Sequence, residues 1–203
     1  MDKWTKLATQ EVIEKTIKSL KANGISAEVI DSGKEALKRA LELIPEGAEV
    51  MNTSSRTVDS IGLAKEINES AKFKSVKNEL NKLNRETDNL KMQKLGAAPE
   101  YILGSVHAVT QDGKVIIASN TGSQFPAYSY GSPNVIWIVG SQKIVKDLDE
   151  GLKRIYDYVL KKESERMMGL YGRPSNVSKL LIINKEVKPE RLRMIIVKEI
   201  LGF

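Results

Sequence analysis

The sequence predicts a three-layer α/β/α sandwich in which helices cover both faces of a mixed, mainly parallel sheet. Helical and strand-like apolar patterns alternate along the chain, and a hairpin signal interrupts them near its centre. Residues 135–139 are apolar on both faces, which is typical of an interior strand between two helical layers. With 203 residues, 41% of them hydrophobic, the chain can bury one core, and we expect residues 1–203 to form a single domain.

The first quarter of the chain alternates helices with strands. Residues 4–23 carry apolar side chains at helical spacing and end at Asn23-Gly24, a helix C-terminal signal. Residues 32–35 form a capping box, which opens a second helix that Pro45 ends. The predicted strands are 27–30 and 48–51. The second strand leads through a polar loop, residues 52–57, into a third helix, so this part of the chain has a β–loop–α junction.

The centre of the chain contains a β-hairpin. Residues 106–109 and 115–118 are β-branched runs on either side of Asp112-Gly113, a strong hairpin signal. After the interior strand, a second capping box at residues 147–150 opens a helix through Val159, which residues 164–170 extend. Two further apolar, β-rich runs at 180–183 and 194–197 complete the predicted sheet.

Residues 72–96 form an amphipathic segment that we interpret as a helical arm. A spacing of three and four in an otherwise polar run is followed by Phe73, Val76, Leu80, Leu83, Thr87 and Leu90. Residues 72–94 also hold seven Lys or Arg against three acids, so most of the formal charge of +6 lies there. One interpretation is a helix lying on its own domain, and the other is an arm that forms a homodimer.

Composition excludes several functional classes. The chain has no cysteine, which removes disulfides, cysteine zinc sites and protein-bound iron–sulfur clusters, and its single histidine removes a histidine-rich metal site. We therefore expect no metal and no cofactor bound by this chain. The start of the sequence lacks an apolar leader, and no stretch is apolar enough to span a membrane, so we expect a cytoplasmic protein. The concentrated charge lacks a recognition motif, which argues against nucleic acid as a partner.

Two polar loops that leave strands and enter helices are the candidate binding site. In open α/β sheets ligands bind at the carboxyl ends of strands, where hydroxyls and backbone N–H groups can meet an anion. The alternative for each loop is ordinary helix capping, which needs only one Ser or Thr. The candidate residues are Ser54, Ser55, Arg56 and Thr57 in the first loop and Asn120, Thr121, Gly122, Ser123 and Gln124 in the second. We expect both loops to line one cleft with a small anionic metabolite bound between them.

His107 is the one candidate for proton transfer near neutral pH. It lies on a hairpin strand, where a register change of one residue would turn it to the opposite face, so a structural histidine is the equal alternative. The sequence has no nucleophile elbow, no P-loop and no dinucleotide fingerprint. Acyl hydrolysis and P-loop nucleotide chemistry therefore lose support.

Long stretches of the chain resemble the LUD domain family, which takes its name from lactate utilisation, in its short single-domain branch. The resemblance covers nearly the whole chain, and the segments that carry it are IPEGAEV (44–50), SSRTVDSIGL (54–63), YILGSVHAV (101–109), ASNTGSQFPAYSYG (118–131), VIWIVGSQKIVKDLDEGLKRI (135–155), NVSKLLIIN (176–184) and IIVKEILGF (195–203). It implies the Rossmann-like fold of ribose-5-phosphate isomerase, glucosamine-6-phosphate deaminase and CoA transferases.

The resemblance implies a role in lactate or other organic-acid utilisation, beside partner chains that carry iron–sulfur clusters or flavin. No catalytic residue is established for this branch, so none is carried over. Residues 52–57 look like a counterpart of the phosphate loop of the sugar-phosphate enzymes but lack its glycines, and the CoA-transferase glutamate has no counterpart in either loop. The alternative function is a stand-alone enzyme or binding protein for a small phosphorylated or carboxylated metabolite.

Overall fold

A computed structural model describes residues 3–203; Met1 and Asp2, which begin the predicted domain 1–203, lie outside the described residues. In chain order the strands are β1 (Ser26–Ile30), β2 (Glu49–Asn52), β3 (Lys74–Ser75), β4 (Tyr101–Gly104), β5 (Ala108–Thr110), β6 (Val115–Ser119), β7 (Asn134–Gly140), β8 (Ile144–Val145), β9 (Lys179–Ile183) and β10 (Leu192–Val197). The helices are α1 (Gln10–Ala22), α2 (Gly33–Glu42), α3 (Arg56–Ser60), α4 (Leu63–Glu69), α5 (Val76–Asn81), α6 (Asn89–Ala97), α7 (Leu148–Arg154) and α8 (Leu160–Tyr171).

The main sheet has six strands in the order β1-β10-β7-β4-β2-β3, and every pairing in it is parallel. Strand β7 lies between β10 and β4, as its doubly apolar sequence predicts. Val135, Trp137 and Val139 of β7 enter one buried cluster, while Ile136 and Ile138 enter another on the opposite face. The α/β class predicted from the sequence is confirmed.

A second sheet has the order β8-β5-β6-β9, in which β5–β6 and β6–β9 are antiparallel and β5–β8 is parallel. Strands β5 and β6 make the predicted hairpin, with Val109 opposite Val115 and Gly113 at φ +82° in the turn. Strand β9 pairs with β6, so the apolar run predicted to complete the main sheet extends the hairpin instead.

Helices α2, α3 and α4 cover one face of the main sheet, and α1 together with the second sheet covers the other. The hairpin strands are apolar on both faces because a third cluster, centred on Ile116, Ile155 and Val159, joins the far side of the second sheet to the α7–α8 region. Two π-helical turns occur in this half of the molecule, at Ala127–Gly131 and at Ile155–Val159 between α7 and α8. Such turns are rare and often lie at functional sites.

The segment 72–96 is helical but is not one continuous arm. It contains β3 and two short helices, α5 and α6, separated at residues 82–88. The break has a local cause: the Asn84 side chain accepts from Glu86 N at 2.8 Å, and Asp88 accepts from Asn84 N at 2.9 Å. These bonds favour a turn over a helix. Strand β3 pairs with β2, so the segment lies against its own domain, and its role in dimerisation stays a prediction.

The predicted first helix begins later than its apolar pattern suggests. Thr9 caps α1 by accepting from Val12 N, and Trp4 lies in a separate 3-10 turn, Lys3–Thr5, where it joins the third cluster. Within residues 3–203, no helix has the length and apolar character needed to cross a membrane.

Candidate functional site

A cavity of about 630 Å³, called here the central cavity, opens at the carboxyl ends of the parallel strands. Asn52 at the end of β2, Ser105 just after β4 and Lys143 just after β7 line it from the main sheet. The hairpin and the α7–α8 region enclose it from the other side. The cavity therefore occupies the place where ligands bind in open α/β sheets.

The two predicted loops and His107 meet around this cavity. The lining includes Ser54, Ser55, Arg56, Thr57, His107, Asn120, Thr121, Ser123 and Gln124. Gly122 does not line the cavity. It lies in the turn at φ +78°, and a Cβ at this position would be 2.7 Å from Lys179 Cδ. Whether these residues bind a ligand stays a prediction.

The hydroxyls of the first loop are largely engaged within the fold. Ser55 caps α3 by accepting from Val58 N at 3.4 Å, as the capping alternative predicts. Thr57 is buried and donates to Leu201 O at 3.0 Å, while Ser54 accepts from Lys77 Nζ at 3.3 Å. Arg56 is exposed at the cavity and is the member of this loop best suited to meet an anion.

The second loop is a self-bonded turn that presents amides to the cavity. Ser119 Oγ accepts from Gly122 N at 2.9 Å and donates to the Gln124 side-chain oxygen at 3.1 Å. Ser178 donates to the Asn120 side-chain oxygen at 2.9 Å. The side-chain oxygens of Asn120 and Gln124 accept within the fold, and their amide NH₂ groups are donors that can meet a ligand.

His107 lines the cavity, and its surroundings favour the neutral ring near neutral pH. Whether it takes part in proton transfer stays a prediction. Its Nδ1 accepts from Ala118 N at 3.0 Å, which leaves the ring proton on Nε2. Burial, together with the nearby charges of Lys143 and Arg154, lowers the pKa of His107 to about 3. The ring is therefore neutral at physiological pH, the structural alternative gains support, and Nε2–H remains a donor.

Lys143 is a site residue that sequence reasoning missed. It lies in the 3-10 turn Ser141–Lys143, is 2% exposed, and donates to Thr57 Oγ1 at 3.0 Å and Ser105 Oγ at 3.1 Å. Burial and, second, the charge of Arg154 lower the pKa of Lys143 well below its usual value. Its position, directly after an interior parallel strand, was the signal that could have identified it.

Arg154 is the second missed residue. It is fully buried, donates from Nη1 to the His107 carbonyl and lies 5.4 Å from the Tyr158 ring centre. In the sequence it looks like a basic residue in the last turn of an amphipathic helix. Its charge reaches both His107 and Lys143 and contributes a positive potential beneath the cavity.

The cavity lining is electropositive. Glu163, one of its two carboxylates, is already paired with Arg166 at 2.6 and 2.7 Å. The other carboxylate is Asp59, and the cationic side chains of the lining are Arg56, Lys77, Arg85, Lys143, Arg166 and Arg173. Within residues 3–203, no group of three His, Cys, Asp or Glu side chains is arranged to hold a metal ion. The arrangement suits an anionic ligand.

Two further buried side chains shape the cavity. Asn52 is 3% exposed, and its side-chain oxygen has no hydrogen-bond partner within residues 3–203. Tyr128 is buried with its hydroxyl 3.4 Å from Thr53 Oγ1, and burial raises the pKa of Tyr128 to about 12. A side chain at Gly104 would overlap this hydroxyl, so only glycine fits at the end of β4.

A family model described as the LUD domain matches residues 13–197. The chain belongs to the LUD domain family. A search of curated proteins finds no match for this LUD domain. Among solved structures, a DUF162 family protein from Deinococcus radiodurans is similar at a TM-score of 0.60 and 14% identity, covering 95% of this chain and 99% of that one. At this identity the similarity concerns the fold alone.

Two weaker similarities are to subunits of eIF2B from Chaetomium thermophilum. The beta subunit has a TM-score of 0.39 and 14% identity, covering 58% of this LUD domain and 44% of the subunit. The delta subunit has a TM-score of 0.38 and 15% identity, covering 71% of this chain and 57% of the subunit. At these scores neither supports an inference about this chain.

Proposed function

We propose that this LUD domain binds a small anionic metabolite of organic-acid metabolism, with a hydroxy acid of the lactate type as the first candidate. The observation that carries the proposal is the electropositive central cavity: apart from Lys143, five cationic side chains face two side-chain carboxylates, and one of those carboxylates is already paired. An anion would supply the missing countercharge.

The polar groups of the cavity support a ligand with both acceptor and donor atoms. His107 Nε2–H and the amide nitrogens of Asn120 and Gln124 can donate to a carboxylate. The Asn52 side-chain oxygen, which accepts no hydrogen bond within residues 3–203, can accept from a hydroxyl. A hydroxy acid carries both kinds of group on adjacent carbon atoms.

The redox step of such metabolism belongs on partner chains in this proposal. The chain has no cysteine to hold an iron–sulfur cluster, which agrees with the division of labour that the family resemblance implies. The partner would carry iron–sulfur clusters or flavin. Co-purification of the tagged chain from its native cells, followed by iron and flavin analysis, tests this part. A tagged chain that purifies alone would contradict it.

Calorimetric titration with lactate and other hydroxy acids tests binding itself. We expect affinity to fall as ionic strength rises, and to fall in an Arg56→Gln variant but not in the control Lys38→Gln, whose exposed side chain lies outside the cavity.

A bound anion should also raise the pKa of Lys143, so binding should take up protons from the buffer. Titrations in buffers with different ionisation enthalpies measure that uptake. No heat and no thermal shift with any hydroxy acid would overturn the hydroxy-acid assignment.

The size of the cavity favours a second candidate. At about 630 Å³ it exceeds what a three-carbon acid fills and lies in the range of sites for larger metabolites. A stand-alone enzyme or binding protein for a phosphorylated metabolite fits this volume. A thermal-shift panel of sugar phosphates and CoA esters beside the hydroxy acids separates the two, since a ligand at a hundred times its Kd adds about 2.7 kcal/mol of stability.

A further inference from the structure

Within residues 3–203, Lys143 differs from an ordinary structural lysine in having no carboxylate as a hydrogen-bond or ion-pair partner. The charged or titratable groups that act on it are Arg154 and, across the cavity floor, His107, and neither is an acid. Its hydrogen-bond partners are two hydroxyls, from Thr57 on α3 and Ser105 after β4. A buried lysine without a countercharge costs stability, which makes a functional explanation necessary.

The hydroxyl partners fix the orientation of the amine. Thr57 Oγ1 donates its proton to Leu201 O at 3.0 Å, so toward Lys143 it acts only as an acceptor. Ser105 Oγ, at 3.1 Å, is the second acceptor. Two N–H bonds of Lys143 are thus committed to the fold. In the neutral amine the remaining position on the nitrogen is its lone pair, and the residue lines the central cavity.

We propose that Lys143 is a nucleophilic amine that forms an imine with an anionic carbonyl compound bound in the central cavity. This inference rests on the proposed function, because the same electropositive lining that binds the anion brings its carbonyl group to the amine. Two sources share the required chemistry: a 2-oxo acid and an aldehyde that carries a phosphate.

The reaction balances without a further reactant. The Lys143 lone pair attacks the carbonyl carbon, and the π electrons of the C=O bond move to its oxygen. One proton passes from nitrogen to that oxygen and gives a carbinolamine. Loss of the hydroxyl group with the second nitrogen proton releases water and leaves a C=N bond. No oxidant or reductant takes part.

The electrostatic surroundings support the neutral amine that this step needs. Burial and the charge of Arg154 lower the pKa of Lys143 well below the value of about 10.4 that a lysine has in a model peptide, at which the amine is almost fully protonated at neutral pH. Each unit by which the pKa falls raises the fraction of reactive amine about tenfold until the amine is mostly neutral. Lys143 should therefore react at neutral pH ahead of the exposed lysines.

Borohydride trapping tests the proposal on the whole chain. The protein is incubated with pyruvate or with glyceraldehyde 3-phosphate, reduced with borohydride, digested and mapped by mass spectrometry. We expect one dominant secondary-amine adduct, on Lys143, formed at neutral pH at least roughly tenfold faster than on any exposed lysine. The probe that gives the adduct identifies the source. The Lys143→Arg variant should lose it, and the Lys38→Arg control should keep it.

The outcomes separate this inference from the proposed function. Binding of lactate or inorganic phosphate without a Lys143 adduct from either probe would overturn the nucleophile and leave the anion site intact. An adduct on Lys143 from one probe, suppressed by a bound non-carbonyl anion, would support both. Equal labelling of Lys143 and the exposed lysines in the wild-type chain would also overturn the inference. This outcome is measured without any variant, so it does not depend on whether a variant folds.

Discussion

Two buried cations lie at opposite ends of the parallel sheet and have opposite surroundings. Arg191 precedes β10 at the amino end, where its guanidinium pairs with Glu186 at 2.7 Å and donates to the carbonyls of Tyr128, Ser129 and Ser132. Lys143 follows β7 at the carboxyl end, and within residues 3–203 its hydrogen bonds go to two hydroxyls. The fold supplies an acid partner to Arg191, whereas the hydrogen-bond partners of Lys143 include no acid.

The comparison shows how a buried charge can be assigned to structure or to function. A cation whose donors all meet acceptors, including a carboxylate, stabilises a connection between elements. A cation or amine that faces a cavity without an acid makes the folded state less stable and persists where binding requires it. The two classes should respond in opposite directions to mutation, and the following experiments measure that difference.

The largest effect is expected from Arg191→Met. This change removes the cationic partner of the Glu186 carboxylate, which is 9% exposed and keeps its bond from Lys188 N, and it removes the Arg191 donor from three carbonyls. We expect the free energy of unfolding to fall by about 3–5 kcal/mol, measured by urea denaturation. Arg193→Met, two residues further along the chain on β10 and with a more exposed pair to Glu190, is the matched control and should cost much less. Equal losses in the two variants would contradict the structural role of Arg191.

Acid should destabilise the protein through His107. The folded-state pKa is about 3 and the ordinary value is 6.5, so between these pH values the unfolded chain binds more protons and stability falls as pH falls. At pH near 4.5 the loss of unfolding free energy that is due to His107 should reach roughly 2–3 kcal/mol relative to neutral pH. Urea denaturation across this pH range measures it. His107→Asn removes the titrating ring, so a variant with the same acid loss would show that another group is responsible.

Lys143→Met should stabilise the protein at neutral pH. Because the folded-state pKa of Lys143 is lowered, the unfolded chain binds more protons up to pH about 10.5, and the cost of burying the amine is present throughout that window. We expect a gain of roughly 0.5–2 kcal/mol that shrinks as pH rises toward 10.5, together with loss of anion binding. Paired denaturation curves at neutral and alkaline pH check the trend. A loss of stability at neutral pH would assign Lys143 to the same class as Arg191.

Lys38→Ala should have the smallest effect and serves as the reference for an exposed cation. Its ammonium lies 4.0 Å from Glu42, and its side chain is 82% exposed. Such pairs contribute about 0–1 kcal/mol, and their contribution weakens in salt. Denaturation at low and high ionic strength checks this. A loss as large as that of Arg191→Met would mean that burial does not separate the two classes of cation.

The fold could be predicted from the sequence because local patterns and global structure agree in most elements. The capping box of α2, the Asp147 cap of α7, the Asp-Gly turn and the doubly apolar β7 each occur where their residues predict them. At α7 the Glu150 side chain accepts from Lys146 N, one residue before the cap, so the predicted capping box is not closed there. The strand partner that was predicted wrongly depends on contacts between residues that are distant in sequence. Whether β9 would pair with β6 or enter the main sheet depends on neighbours distant in sequence, and an apolar run alone does not specify its partner.

The candidate site was partly predictable for the same reason. Residues 52–57 and 119–124 have polar side chains after strands, and the geometry of parallel sheets brings such loops together. Lys143 and Arg154 were missed because a lysine and an arginine in helical turns are usually exposed, and only tertiary packing buries them. The pKa of His107 likewise depends on both of these residues and could not be obtained before they were located.

The π-helical turn Ile155–Val159 has a consequence for how this chain tolerates insertions and deletions. A π turn holds one residue more than an α turn, so removing a single residue there would restore a continuous α-helix from α7 onward. Because the wider turn absorbs the extra residue, the later side chains of α8 would keep their phase around the helix axis. Glu163 and Arg166 would therefore still line the cavity. A one-residue deletion in the regular α-helix between this turn and Glu163 would instead rotate the later side chains by about 100°. The π turn is thus the place in this wall of the cavity where the chain can lose a residue without redirecting the lining.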